Sequence, residues 1–278
     1  MTTDAEDATR DGFPPNPPTK QGYTLVFDDE FSGHELNTTR WLPYYLPQWS
    51  NRKRSAARYS LPGNRLQLHI DEDQLPWCPQ HDGNVRVSSL QTGCFAGPLG
   101  TSIGQHRFKK GLVVSEEQPV CRNYTPQFGY FEVRLKAIPI PGYMVALWMI
   151  GFEETPEQSA EICICEIFGT DVMPAGARVG YGLHPFADPS IVDEFFKDVF
   201  PIDATKFHIY AGDWTPDHID FYLDNRKTRT VKQSPHYPMQ LMLNIYEIPS
   251  QLTGSSDMAD WPKTLEVDYV RGFRRNAA

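Results

Sequence analysis

Hydrophobic and polar residues alternate along most of this chain, which is the pattern of β-strands that bury one face. Residues 207–212 and 219–224 alternate in this way, and residues 143–151 are almost all apolar, as in a strand buried on both faces. The same criteria predict further strands at residues 23–27, 65–70, 128–138, 161–166, 239–248 and 264–271. The pattern favours a short helix or a loop at residues 193–199. Neither an internal repeat nor sustained helical periodicity occurs, so the chain is predicted to be an all-β, two-layer sandwich.

Two glutamates interrupt the short apolar strand predicted at residues 161–166, which reads Glu161-Ile-Cys-Ile-Cys-Glu166. Burying an ionised carboxylate without partners is unfavourable, so two of them in one strand suggest an open cleft. Side chains alternate along a regular strand, so residues five apart would point to opposite faces. One β-bulge near Ile164 or Cys165 would bring Glu161, Cys163 and Glu166 onto one surface. Two facing carboxylates are what glycoside hydrolysis requires, although both could also be solvated on an ordinary sheet.

The length and composition fit one globular domain. The 278 residues are 40% hydrophobic, which is enough for a single large β-sandwich core. Residues 1–20 are polar and contain a Pro-Pro-Asn-Pro-Pro run, which cannot pair in a sheet. They are predicted to form a tail or a strap, followed by a single domain at residues 21–278. The formal charge of −9 at pH 7 argues against a nucleic-acid partner and is compatible with a neutral polysaccharide.

Cysteine usage and the first residues bear on the cellular compartment. Five cysteines with irregular spacing exclude a complete disulfide framework, so free and partly buried thiols are expected. The chain starts with acidic residues and lacks the apolar run of a secretory signal, and no later segment is long enough to span a membrane. The protein is therefore expected in the cytoplasm as the chain stands, or outside the cell if the sequence is that of a mature domain.

Residues 161–166 resemble the Glu-x-Asp-x-x-Glu signature of glycoside hydrolase family 16, the laminarinase and lichenase family. Other segments that resemble this family, in the same order, are residues 128–136, 146–151, 181–184, 207–224 and 267–271. The resemblance covers residues 23–274. It implies a concanavalin A-like β-jelly roll with a concave glycan-binding cleft. The least family-like stretch is residues 71–123, whose long loops are expected to carry substrate preference.

The resemblance assigns roles to the carboxylates. It implies that Glu161 is the nucleophile and Glu166 the acid/base. The family has an Asp between them that helps to tune both, and this chain has Cys163 at that position. A neutral thiol neither repels nearby carboxylates nor accepts a strong charge-assisted hydrogen bond. Catalysis of this kind needs no cofactor.

The resemblance also implies residues that contact the sugar. Trp148 would line the floor beneath the sugar at the reaction centre, and His184 would lie near the cleaved bond. Trp49 and Arg52 belong to an early loop that in relatives covers the donor side of the cleft. Without the resemblance, each tryptophan could equally be a packing residue, and His184 a structural hydrogen-bonding residue.

A structural calcium ion is a further implication of the resemblance. Many relatives bind calcium on the convex face through a carboxylate, a backbone carbonyl and an Asp of the last strand. The matching positions here are Glu30, Gly63 and Asp268. Oxygen ligands suit calcium, although each of these residues alone could be an ordinary turn residue.

The function that follows is retaining endo-hydrolysis of a β-glucan, with β-1,3-glucan first and mixed-linkage glucan second. The expected partner is a polysaccharide or oligosaccharide, and the protein is expected to be a monomer. A transglycosylase with the same two glutamates and a non-catalytic glycan-binding protein on the same fold remain alternatives. An ordinary structural sandwich is the third.

Overall fold

The structure is a computed structural model of the chain, and it describes residues 16–252 and 260–277. The strands, in chain order, are β1 (Tyr23–Asp29), β2 (Arg58–Ser60), β3 (Leu66–Ile70), β4 (Arg86–Gln91), β5 (Gly93–Cys94), β6 (Cys121–Arg122), β7 (Gly129–Lys136), β8 (Tyr143–Gly151), β9 (Glu161–Phe168), β10 (Val172–Met173), β11 (Gly176–His184), β12 (Glu194–Phe200), β13 (His208–Trp214), β14 (Ile219–Leu223), β15 (Arg226–Val231), β16 (Met239–Glu247) and β17 (Lys263–Arg275). The helices are α1 (Arg52–Ser55) and α2 (Pro79–Asp82), with single 3₁₀ turns at Pro47–Trp49, Gly169–Asp171 and Pro249–Gln251. None of the described helices is long and apolar enough to cross a membrane.

Two antiparallel sheets make up the body of the protein. The first sheet has the order β15-β14-β13-β7-β17-β3-β2, and β1 also pairs with β17. The second sheet has the order β10-β11-β9-β8-β16-β4, and β12 pairs with β11. The predicted all-β sandwich is confirmed, because side chains from both sheets form one buried core between them.

The middle strands of both sheets supply most of this core. Leu147 in β8 and Leu243 in β16 are fully buried in it, as are Val133 in β7 and Val267 in β17. The outer face of the second sheet also carries buried aromatic and aliphatic residues, because loops cover part of it. This smaller cluster contains Tyr45, Leu46, Trp49, Trp77, Trp148, Ile150 and Met242, among others.

The helix or loop predicted at residues 193–199 is wrong. These residues belong to strand β12, which pairs with β11 from Leu183↔Glu194 to Ala177↔Phe200. Phe196 and Phe200 pack against the core between the sheets, and Lys197, one residue from Phe196, points to the opposite face. Tertiary pairing with β11 therefore decides the local structure, because the sequence itself shows two adjacent phenylalanines rather than a clean alternation.

The described part of the predicted N-terminal tail lies across the first sheet. Asn16 donates hydrogen bonds to Glu132 and to the Tyr269 hydroxyl group. The Lys20 ammonium group lies 3.8 Å from the centroid of the Tyr130 ring. Residues 16–20 therefore act as a strap on this face, whereas residues 1–15 of the predicted tail lie outside the described residues.

A buried ion cluster lies beneath this strap. Arg271 donates to both carboxylate oxygens of Glu30, at 2.6 and 3.0 Å, and lies 3.4 Å from Glu132. The side chains of Arg271 and Glu132 are only 5% and 1% exposed. A buried carboxylate of this kind depends on its partner, because removing one member leaves the other charge desolvated and unpaired.

Arg271→Met should therefore lower the free energy of unfolding by about 3 kcal/mol, since it leaves buried Glu132 without its guanidinium partner. Urea denaturation followed by tryptophan fluorescence measures the change. The matched control is Arg58→Met, which removes an ion pair with Asp71 and Asp73 near the surface and should have a much smaller effect. Equal losses of stability in the two variants would contradict the burial argument.

Candidate active site

A β-bulge shapes strand β9 at the position predicted from the sequence. On the side of β9 that faces β8, Trp148 pairs with Cys163, and the preceding residue of β8, Leu147, pairs with Cys165. Ile164 is therefore the extra residue. The pairing with β11 shifts in the same place, between the pairs Gly182↔Cys163 and Gly180↔Glu166. The predicted bulge is confirmed, and it resets the alternation of side chains along β9.

The bulge brings both glutamates and the thiol between them to one surface. Ile162, Ile164 and Cys165 belong to the core between the sheets. Glu161, Cys163 and Glu166 instead line a cleft with a volume of about 570 Å³ on the outer face of the second sheet. The prediction that these three residues share a surface is confirmed. The cleft is also lined by Tyr45, Asp82, Val85, His106, Met144, Ala146, Trp148, His184, Pro185, Phe186, Tyr246 and Ile248.

Burial dominates the electrostatics of the two carboxyl groups. It raises the pKa of Glu161 to about 8, and the negative charge of Glu166 adds to the effect. Burial also raises the pKa of Glu166, but the positive charges of Lys197 and His184 oppose this shift. The pKa of the Cys163 thiol lies well above its ordinary value, first because of burial and then because of both carboxylates. Cys163 is therefore a neutral thiol at this site.

Lys197 is a charged neighbour of Glu166 that the sequence analysis missed. Its ammonium group lies 3.6 Å from Glu166, and it projects from β12. The same strand places the Phe195 ring in a stacked contact with His184, with ring centroids 4.6 Å apart. Gly180 makes room for this ring, since a Cβ atom there would lie 2.7 Å from Phe195. The misassigned strand therefore forms one side of the site.

Trp148 and His184, both predicted as sugar contacts, do line the cleft. Trp148 is 5% exposed, and its indole N–H donates to the side-chain oxygen of Asn244. His184 lies opposite Glu161 in the sheet register, and its Nδ1 atom is 3.0 Å from Asp193. The structure brings both residues to the glutamate pair, and their contacts with sugar stay predictions.

Trp49 is not a cleft residue, so its prediction as a surface sugar contact is wrong. Its side chain is 1% exposed, and the indole N–H donates to the backbone carbonyl of Gln105. Gly104 provides the space, because a Cβ atom there would lie 2.8 Å from the Trp49 ring. Arg52 is exposed and does not line the cleft. Its Nε atom donates a hydrogen bond to the side-chain oxygen of Gln118. A role for Arg52 in binding sugar stays a prediction.

Several cleft residues come from loops that the sequence analysis left without assignment. Tyr45 and Tyr246 face each other with their hydroxyl oxygens 3.3 Å apart. His106 comes from the 71–123 stretch, and Phe186 from the loop after β11. The 71–123 stretch therefore supplies Asp82, Val85 and His106 to the cleft, and its expected role in substrate preference stays a prediction. Nothing in the local sequence marks these residues, because long-range packing places them.

The residues predicted to bind calcium lie on the first sheet and already have cationic partners. Glu30 pairs with Arg271, and Asp268 pairs with Arg134 at 2.5 Å. A metal ion held by these carboxylates, with Gly63, would have to displace the guanidinium groups. Among residues 16–252 and 260–277, no group of three or more His, Cys, Asp or Glu residues is arranged to hold a metal. This donor set does not fit calcium without rearrangement, and the calcium site stays a prediction.

Three known proteins show what this chain is similar to. A GlcNAcα1-4Gal-releasing endo-β-galactosidase from Clostridium perfringens is 32% identical with a TM-score of 0.81, and the match covers 95% of this chain and 66% of that one. A laminarinase from Flavobacterium sp. UMI-01 is 20% identical with a TM-score of 0.61, over 90% of this chain and all of that chain. Glucan endo-1,3-beta-glucosidase A1 of Niallia circulans is 21% identical over 94% of this chain but only 39% of its own length.

These similarities bear on fold and family. The chain spans less than two thirds of the length of the first and third of these proteins. The solved relatives share its β-sandwich, which confirms the predicted jelly-roll architecture. The model of the family described as glycosyl hydrolases family 16 matches residues 120–271, which include β9 and both cleft glutamates. Because this match spans more than half of the sequence, the chain belongs to glycosyl hydrolase family 16.

Proposed function

We propose that this protein is a retaining endo-glycoside hydrolase that cleaves a β-linked glycan in the cleft. The observation that carries the proposal is the bulge at Ile164, which aligns Glu161 and Glu166 on the cleft surface. A structural sandwich has no need for two desolvated carboxyl groups in one open cleft. Membership of the hydrolase family supports the same reading.

The proposed reaction uses one carboxyl group for each task. Glu161 attacks the anomeric carbon and forms a covalent glycosyl ester, while Glu166 gives its proton to the leaving glycosidic oxygen. Glu166 then takes a proton from water, which attacks the ester and releases the sugar with its original anomeric configuration. Trp148 and His184 would contact the sugar unit that Glu161 holds as the glycosyl ester.

The mechanism requires a single proton on the glutamate pair in the resting protein. Burial raises the pKa of Glu161 to about 8 and also raises that of Glu166, so the pair binds a proton more tightly than free carboxyl groups do. The proposed reaction needs that proton on Glu166 and an ionised Glu161. Cys163 contributes no charge to this balance. Lys197 acts in the opposite direction, because its cation favours the ionised form of Glu166.

Two neutral glycans are the candidate substrates. The Niallia relative is named for endo-1,3-β-glucan cleavage and the Flavobacterium protein is a laminarinase, which supports the predicted β-1,3-glucan. A β-galactoside is the second candidate, since the TM-score with the Clostridium endo-β-galactosidase is 0.81, against 0.61 for the laminarinase. Transfer to a sugar hydroxyl instead of water, or binding without cleavage, are the other outcomes that the same cleft allows.

The first test is product release from laminarin, lichenan, agarose, carrageenan and a β-galactoside glycan that ends in GlcNAcα1-4Gal. We expect cleavage of at least one, loss of activity in Glu161→Gln, and a decrease of about 10²–10⁴-fold in Glu166→Gln, which lacks the general acid. The control is Glu157→Gln, which changes an exposed glutamate outside the cleft. Early products with inverted configuration in an NMR time course, or no cleavage at all, would refute the proposal.

The second prediction concerns pH. Lys197→Met removes the cation that lowers the pKa of Glu166, so that pKa should rise. Because the general acid is lost as Glu166 ionises, the alkaline limb of the kcat/KM profile should move to higher pH. Lys197→Arg keeps the charge and should leave the limb close to that of the parent. A limb that stays in place or moves to lower pH in Lys197→Met would contradict this account.

The third prediction concerns the thiol. Cys163→Asp adds an anion beside the glutamate pair, which favours retention of the shared proton, so the alkaline limb should again move to higher pH. Cys163→Asn has a similar size and no charge, and it separates the effect of charge from that of shape. The same pH profiles measure both variants. Equal shifts in the two would show that charge at position 163 is not the cause.

A further inference from the structure

His106 forms part of the cleft wall through a loop that no sequence motif identifies. Its imidazole ring is held among three aromatic rings. The centroids of Trp148 and Phe186 lie 5.0 and 4.8 Å away in edge-to-face contacts, and that of Phe108 lies 6.2 Å away in a stacked one. This arrangement fixes the plane of the ring beside the floor residue Trp148.

The imidazole has no hydrogen-bonding partner in the described protein. Its Nδ1 atom is buried without a partner, and neither ring nitrogen is hydrogen-bonded to another described residue. The side chain as a whole is only 8% exposed. Buried polar groups are almost always hydrogen-bonded, because leaving one desolvated and unpaired is unfavourable. Nδ1 is enclosed by protein and the small exposed part of the ring borders the cleft, so Nε2 is the nitrogen that a molecule bound in the cleft would meet.

The protonation state of His106 restricts what that partner can be. Burial lowers the pKa of His106 to about 4, and the nearby charge of His184 lowers it further. The ring is therefore neutral at neutral pH and offers one N–H donor and one bare nitrogen acceptor. A sugar hydroxyl group can serve either tautomer of the nitrogen that faces the cleft, because it both donates and accepts. A sulfate or carboxylate group can only accept, so it serves only the tautomer that places the N–H there, and a neutral ring offers it no ion pair.

The backbone of His106 adopts a left-handed conformation that surrounding contacts hold in place. Its φ angle is +52°, in the left-handed region, and its backbone N–H donates to a side-chain oxygen of the buried Glu153 at 2.5 Å. The preceding residue, Gln105, accepts from the indole N–H of Trp49 through its carbonyl and donates to Gln240 through its side chain. These contacts anchor the loop on both sides of the ring, so the imidazole is presented rigidly to the cleft.

We propose that His106 is a specificity-determining residue that hydrogen-bonds a hydroxyl group of an uncharged sugar unit lying over Trp148 at the Glu161 end of the cleft. This proposal rests on the proposed function. The placement follows from the register, since His184, whose charge acts on His106, lies opposite Glu161. A glycan with a charged substituent at this unit is expected to be excluded, because it would be desolvated against a neutral ring.

The first experiment compares His106→Phe, which keeps an aromatic ring without its nitrogens, with His106→Asn, which keeps polar groups and tolerates a positive φ. With the best substrate of the panel, we expect His106→Phe to raise KM at least tenfold and His106→Asn to recover part of the loss. His34→Phe is the matched control, since His34 is exposed outside the cleft. A set of singly deoxygenated oligosaccharides then identifies the hydroxyl group. One deoxygenated sugar should bind the unmodified protein more weakly than the complete sugar does. The His106→Phe variant should bind that deoxygenated sugar and the complete sugar equally well.

The second experiment does not depend on any His106 variant folding. The imidazole ¹⁵N resonances of His106 are followed in Glu161→Gln while laminarihexaose, or an oligosaccharide of β-linked galactose, is added. A shift of the His106 nitrogens on saturation supports the proposal. Binding of the oligosaccharide without any shift would show that no sugar group contacts the ring, and it would overturn the proposal. A KM of His106→Phe within twofold of that of the unmodified protein would also overturn it.

The outcomes separate this proposal from the one on which it rests. If the parent cleaves a glycan while His106 responds in neither experiment, only the role of His106 is refuted. If the parent binds a glycan that it cannot cleave and the His106 nitrogens shift, hydrolysis is refuted and the binding role stands. If no probe is either bound or cleaved, both proposals fail.

Discussion

One extra residue in strand β9 is the constraint on which the site depends. A regular strand would place either Glu161 or Glu166 in the core between the sheets, where a carboxyl group has no partner. With Ile164 as the bulged residue, the apolar side chains remain in the core on both sides of the irregularity. The same residue therefore preserves the packing of the sandwich and aligns the glutamates, so fold and candidate chemistry cannot be separated at this position.

The sheet and the loops contribute to the cleft in different ways. Strands β8, β9 and β11 provide a floor whose register fixes Trp148, Cys163 and the glutamates relative to one another. The walls carry the strained backbone, since His106, Glu153 and Phe186 all have positive φ angles. Such conformations persist only where surrounding contacts over-determine them, and the Glu153–His106 hydrogen bond is one of these. The strands thus fix the positions of the two glutamates, and the anchored loops fix the positions of the side chains around them.

The sequence predicted what depends on local pattern and missed what depends on distant contacts. Alternation identified the sandwich strands, and the two glutamates in an apolar run identified the bulge. Trp49 was misplaced because burial of an indole depends on Gly104, more than fifty positions away. Lys197 was missed because β12 is a strand only through its pairing with β11. The position of His106 in the cleft was not predicted for the same reason, since its loop is held by Glu153, 47 positions later.

Charge is distributed unevenly between the two faces of the protein. On the first sheet, carboxyl groups such as those of Glu132 and Asp268 lie against arginine guanidinium groups. In the cleft, burial raises the pKa of Glu161, Glu166 and the Cys163 thiol and lowers that of His106. Because the Cys163 thiol carries no charge, the raised pKa of Glu161 depends first on desolvation and then on the charge of Glu166.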